Sequence, residues 1–198
     1  MKCIRLALAI ILSSAFTQVT AQDYNKGWEA ALVGDFATAL QEWKPLAEQG
    51  DARAQVSLGF MYDNGNGVLK DATEAVKWYR LAAEQGDADL QNSLGLMYQN
   101  GNGILKDYTE SLKWHRLASE QGDADGHYFL GHMYANGSGV LQDNIAAHMW
   151  YNIASANGHE KAGGYRDERE GLMTASDISK AIDMARNCMN SKYKNCDW

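Results

Sequence analysis

Proline occurs once in 198 residues, against 19 glycines. A chain assembled from loops would hold more proline, so the composition favours many helices joined by tight glycine turns. Basic residues are outnumbered too: 18 Lys and Arg against 25 Asp and Glu give a formal charge of -7. That excess of carboxylates excludes a nucleic-acid binder, which needs a basic stripe to neutralise phosphates. Cysteine is scarce, with three residues. After the N-terminal apolar run there is no second run of about 20 apolar residues that could span a bilayer. Disorder is excluded in its turn, because 45% of the chain is hydrophobic.

The N-terminal run reads as an address. Lys2 and Arg5 form a positive start, Leu6 to Phe16 an apolar stretch, and Val19-Thr20-Ala21 offers small residues at a cleavage site after Ala21. Residues 1–21 are therefore expected to be a secretory signal, removed on export; an uncleaved anchor is the alternative. Cleavage takes the charge from -7 to -9 and leaves Cys188 and Cys196. In an oxidising compartment an even pair reads as a disulfide, worth roughly 2–3 kcal/mol by chain entropy. A free pair or a metal half-site is the alternative, and no third Cys or neighbouring His supports metal.

The remainder repeats itself. Trp78, Trp114 and Trp150 lie 36 apart, as do Gly50, Gly86, Gly122 and Gly158, the glycines Gly59, Gly95 and Gly131, and the loops that begin at Gly65, Gly101 and Gly137. Trp43 lies 35 before Trp78, which suggests a one-residue slip between Trp43 and Gly50, where Pro45 sits. A fixed period of this size marks stacked supersecondary units.

Each unit reads as two helices. The first, over about 52–63, 88–99 and 124–135, repeats Ala, Leu-Gly and Met-Tyr at helical spacing. The second covers about 71–85, 107–121 and 144–157 and repeats a small residue, Trp, Leu (Ile in the third) and Ala. Glycines 50, 86, 122 and 158 suit a left-handed helix end, and Asp51, Asp87 and Asp123 suit the following N-cap. Asp71 with Glu74, and Asp107 with Glu110, resemble capping boxes. A plainer hairpin, 24–33 and 36–49, precedes the repeats. After Gly158 the pattern decays into charged residues 166–170, and a last helix over about 176–190 carries Ile178, Ala181, Ile182, Ala185 and Cys188 on one face.

The string Ala88-x-x-Gln91-x-x-Leu94-Gly95-x-Met97-Tyr98-x-Asn100-Gly101-x-Gly103, followed by Asp107, Glu110, Trp114, Leu117-Ala118 and Glu120-Gln121-Gly122, resembles the Sel1-like repeat family. That family is related to tetratricopeptide repeats. The resemblance implies an all-α fold: a right-handed α/α solenoid of helix-turn-helix repeats with a C-terminal capping helix. It divides the chain into a signal (1–21), an N-terminal hairpin (22–50), three repeats (51–158: 51–86, 87–122, 123–158) and capping helices (159–198). It implies a scaffold or adaptor that binds a protein or peptide and performs no chemistry. The tail with Cys188 and Cys196 also looks like those of exported bacterial members, which places the protein in the periplasm or outside the cell. Some cysteine-rich relatives are associated with cell-wall or β-lactam substrates; here the repeats contain no cysteine, which weakens that alternative.

A search for chemistry yields little. His127 and His132 are five apart and do not share a helix face. His159-Glu160 opens a zincin-like string, but the second His is replaced by Gly163. Ser191-x-x-Lys194 matches one motif of penicillin-recognising enzymes, without its companions. Neither a metal nor a cofactor is expected, and no membrane insertion after cleavage. The informative residues are those that vary on the first helix of each unit: Val56, Phe60 and Asp63; Asn92, Leu96 and Gln99; Tyr128, His132 and Ala135. Their i, i+4, i+7 spacing lines one side of each helix, and stacking would align the triplets into a partner-binding groove. The bland alternative is that they vary because nothing constrains them.

Overall fold

The computed structural model describes residues 23–194 and Cys196. The proposed signal at 1–21 lies outside them. Among the described residues there are ten helices and no strands: α1 (Tyr24–Leu32), α2 (Phe36–Glu48), α3 (Ala52–Asn64), α4 (Ala72–Ala83), α5 (Ala88–Asn100), α6 (Tyr108–Ser119), α7 (Ala124–Asn136), α8 (Asn144–Ala156), α9 (Ala162–Glu170) and α10 (Ala175–Asn190). Each helix packs on the next through α9, and α10 folds back onto α8, giving an all-α repeat solenoid closed at one end.

Aspartate starts the first eight helices. Asp23, Asp35, Asp51, Asp71, Asp87, Asp107, Asp123 and Asp143 each accept from a backbone N–H in the first turn, which satisfies donors that no residue of the helix itself can reach. The capping boxes expected at Asp71 and Asp107 are only half formed. Glu74 and Glu110 turn to Lys77 and Lys113, because the Asp71 and Asp107 amides already donate to Tyr62 O and Tyr98 O. The reciprocal box occurs instead at Thr174 and Asp177, ahead of α10.

The period does not slip at Pro45. Asp35, Asp71, Asp107 and Asp143 are spaced by 36, and so are the fully buried small residues Ala39, Ala75, Ser111 and Ala147. Pro45 sits in the last turns of α2 without ending it. Trp43 belongs to a different column from Trp78. It holds the place of Tyr79, His115 and Tyr151, each of which lies against a glycine of the preceding helix. A Cβ on Gly59, Gly95 or Gly131 would stand 2.6 Å from those rings, and one on Gly27 would stand 2.4 Å from Trp43. The glycine is there because two helices approach through a flat side chain. The difference between hairpin and repeat lies in the loops: residues 33–35 join α1 to α2, whereas 65–71 join α3 to α4, four residues more. Residues of α1 therefore correspond to those of α3 at a spacing of 32.

Polar side chains bind unit to unit. Gln55 Nε2 donates to Ala47 O and Gln91 Nε2 to Ala83 O, each at 3.1 Å. Gln85 Nε2 reaches Gly50 O at 2.8 Å and Gln55 Oε1 at 2.9 Å, and Gln121 Nε2 repeats the second contact on Gln91. At the last unit His127 replaces the first glutamine and Asn157 the second; Asn157 Nδ2 donates to Gly122 O at 3.0 Å. The bonds of Gln55 and Gln91 satisfy polar groups that burial would otherwise leave unpaired.

The C-terminal segment closes the row. Residues 162–170, within the capping segment where the repeat pattern decays, form α9, held to α8 by buried His148, whose Nε2 is 3.0 Å from Glu170 Oε1. On α10, Ala181, Ala185 and Cys188 are buried, whereas Ile182 is exposed. Cys188 and Cys196 form a disulfide. Within its loop Tyr193 adopts a left-handed backbone (φ 63°), placing its ring 4.9 Å from His127 and its hydroxyl 3.1 Å from Asn157 Oδ1.

Candidate partner-binding groove

The first helix of each unit, α1, α3, α5 and α7, presents one varied stripe. The 32-residue correspondence adds a fourth triplet: Tyr24, Trp28 and Ala31 stand where Val56, Phe60 and Asp63 stand on α3. The 36-residue period does not reveal them, because the loop between α1 and α2 is four residues shorter than its counterpart in the repeats. The usable signal was Gly27, the counterpart of Gly59.

Between α1 and α3 these residues form a concavity of about 540 Å³, lined chiefly by Tyr24, Trp28, Leu32, Phe36, Val56 and Phe60. Trp28 is 51% exposed and Phe60 54%. A second concavity of about 440 Å³ lies between α3 and α5, with Asp63, Tyr79, Leu90, Ser93 and Met97 in its walls. Burial, with Asp63 adding to it, pushes the Tyr79 hydroxyl up to about 12, so it stays a neutral donor or acceptor. A third, of about 570 Å³, shares Tyr24 and Val56 with the first and adds Arg53, Gln85, Asp87 and Asp89. Arg53 is occupied: it pairs with Asp51 at 3.0 Å and covers the Tyr24 ring at 4.4 Å.

The nine residues expected to line the groove separate on inspection. Val56, Phe60 and Asp63 line its open N-terminal part. Leu96 and Gln99 are half-buried on α5. Asn92 is a correction: it is 5% exposed, with Nδ2 donating to Asp123 at 2.6 Å and Oδ1 lying 3.1 Å from His115 Nδ1. Buried Ala135 is a second correction. Tyr128 is packed by the C-terminal cap, stacked on His159 at 4.1 Å with Tyr165 at 5.5 Å. His132 lies beside Asn136 of its own helix, and burial lowers its basicity.

Ser191 Oγ lies 2.8 Å from Cys188 O and 2.6 Å from Lys194 O, so its hydroxyl is spent on backbone at the end of α10 and no side-chain base activates it. Among the described residues no group of three or more His, Cys, Asp or Glu could hold a metal ion. Nor is any helix of these residues long and apolar enough to cross a membrane.

Relatives agree with this architecture. The chain is 46% identical over 39 residues to the secretory immunoglobulin A-binding protein EsiB of Escherichia coli O6:H1, a match covering 20% of this chain and 8% of that protein. It superposes with a TM-score of 0.60 and 35% identity on a Sel1 repeat protein from Oxalobacter formigenes, over 71% of this chain and 58% of that one. It also superposes with a TM-score of 0.68 and 27% identity on a protective antigen present in uropathogenic E. coli strains, over 86% of this chain and 41% of that one. The chain thus spans less than two thirds of each relative's length. The Sel1 repeat itself is matched three times in succession, at residues 52–87, 88–123 and 124–159, which is more than half of the sequence, and the chain belongs to the Sel1 repeat family.

Proposed function

We propose that the protein is an exported scaffold or adaptor, periplasmic or secreted, that binds a protein or peptide partner through the groove on α1, α3, α5 and α7. Sel1 repeat proteins generally mediate protein–protein interaction. The observation that carries the reading for this chain is the apolar wall at the N-terminal end. Trp28 and Phe60 are each about half exposed across a concavity from one another, although the other described tryptophans, Trp43, Trp78, Trp114 and Trp150, are buried. Grouped aromatic surface of this kind marks interaction sites, where it supplies buried area at low entropic cost. That EsiB is named for binding secretory immunoglobulin A supports a protein partner as the ligand class.

The test is retention of a partner by the tagged protein in its native compartment, captured by cross-linking and mass spectrometry. Trp28→Ser combined with Phe60→Glu should abolish retention while leaving helix content and melting unchanged. Equal retention by the double variant would show that the groove is misassigned. N-terminal sequencing should begin at Gln22; a chain still starting at Met1 would contradict cleavage.

A further inference from the structure

We infer that the N-terminal groove selects a peptide segment carrying one bulky apolar anchor followed closely by lysine or arginine; this deepens the groove assignment above and rests on it. Three observations converge. The concavity between α1 and α3 is walled by Trp28, Leu32, Phe36, Val56 and Phe60, enough to enclose an aromatic or long aliphatic side chain. The next two concavities, both between α3 and α5, carry carboxylates: Asp63 in one, Asp87 and Asp89 in the other. No ion pair with Lys, Arg or His engages these three carboxylates among the described residues, whereas Arg53, the one cation in their midst, is balanced by Asp51.

These carboxylates are confined to this end of the row. Asp125, 36 residues after Asp89, has His159 Nε2 at 3.6 Å, and Lys161 lines the same concavity. A segment running from the apolar end across α3 and α5 therefore meets Asp63, Asp87 and Asp89 with no cation of the described residues paired to them. Burial of the anchor would supply affinity and the carboxylates would fix direction and register. Charge also argues against the other occupants. A second copy of this chain brings a net charge of -7, and an anionic bilayer brings phosphates; both would be repelled by an acidic rim.

Selection of a random-sequence peptide phage library on the purified, immobilised protein tests this. Enriched peptides should contain one Trp, Phe, Leu or Ile with Lys or Arg within a few positions. A synthetic copy of the strongest should lose binding to Phe60→Glu. Asp63→Asn and Asp89→Asn should each weaken it about two- to fivefold, the size of an exposed ion pair, with the effect fading at high salt. Peptides that depend on Phe60 but carry neutral or acidic flanks would overturn the inference and leave the groove standing. Peptides indifferent to Trp28 and Phe60, or no enrichment at all, would overturn both. Concentration-dependent dimers in sedimentation velocity, lost in Phe60→Glu, would make a second copy the occupant and refute the basic peptide.

Discussion

Asn92 joins its unit to the next by donating to Asp123 across 2.6 Å, the same carboxylate that caps α7 through Gly126 N. The oxygen of the same amide, Asn92 Oδ1, lies 3.1 Å from His115 Nδ1 and can only accept, which fixes the imidazole with its proton on that nitrogen. Three helices, α5, α6 and α7, are thereby tied through one buried amide. Asn92→Ala should cost about 1–3 kcal/mol, the penalty of leaving buried polar groups unpaired, and should shift the urea midpoint without changing the slope. Peptide binding at the N-terminal end should be unaffected, and a loss of binding in a fully folded Asn92→Ala protein would mean that the residue contacts the partner after all.

The glycine columns make opposite forecasts at two positions. Gly59→Ala places a methyl 2.6 Å from the Tyr79 ring, and overpacking of that kind costs about 1–3 kcal/mol. Gly164 lies in α9 with nothing within 4 Å of its would-be Cβ, so Gly164→Ala should be neutral or stabilising by up to about 1 kcal/mol through helix propensity. Thermal melts of the two variants compare them directly.

Acid should weaken the fold before the carboxylates are protonated. Burial pushes His115 down to about 3 and His127 down to about 4, from 6.5 in an exposed imidazole. Between pH 6.5 and about 4 the unfolded chain takes up protons that the folded chain refuses. Stability is therefore complete above 6.5 and falls through this window, by roughly 1 kcal/mol per pH unit for each histidine. Asp35 and Asp51, whose carboxyls are held low by Thr38 and by Arg53, add a loss in the same direction at lower pH. Urea titrations at pH 7 and pH 5 would show it, and His115→Gln should flatten the dependence; an unchanged slope would remove His115 from this account.

Reduction isolates the tail. Opening the Cys188–Cys196 loop, whose ends are 8 residues apart, should cost roughly 2–3 kcal/mol by chain entropy. Tyr193 and Lys192 hold left-handed backbones that side-chain-bearing residues seldom adopt. Without the bridge they should relax, freeing Asn157 and raising hydrogen exchange at the end of α8. Intact mass of the untreated protein should be two hydrogens below the reduced form, and two thiols alkylated without reductant would refute the bridge.

Much of the solenoid was legible because each unit states the same chemistry three times. Aspartate caps, left-handed glycines and glycines at close helix approaches are local requirements, and 36-residue recurrence exposes them. What misled was identity without position: Trp43 and Trp78 are the same residue in different columns, so matching them suggested a slip at Pro45 that is not there, while the shorter loop at 33–35 set α1 off the 36-residue period and hid Trp28 from the groove. Asn92 misled for the reverse reason. It varies among units as a ligand contact would, yet it varies because His115 replaces a tyrosine beside it, a pairing visible only when α5 and α6 are packed. Tyr128 was legible as a face residue, but the packing of α9 over it depends on contacts from 159–165, where the repeat pattern had already faded.

The disulfide-held lid gives the row a direction. One end is bolted, with Tyr193 riveted onto the last unit, while at the other end of the described residues α1 packs on α2. In a structure where each unit leans only on its neighbours, fraying should start at α1 and travel toward the bolt. The aromatic wall then lies in the unit furthest from the bolt, so the arrival of a partner seated there would be felt as a rise in stability at α1 first.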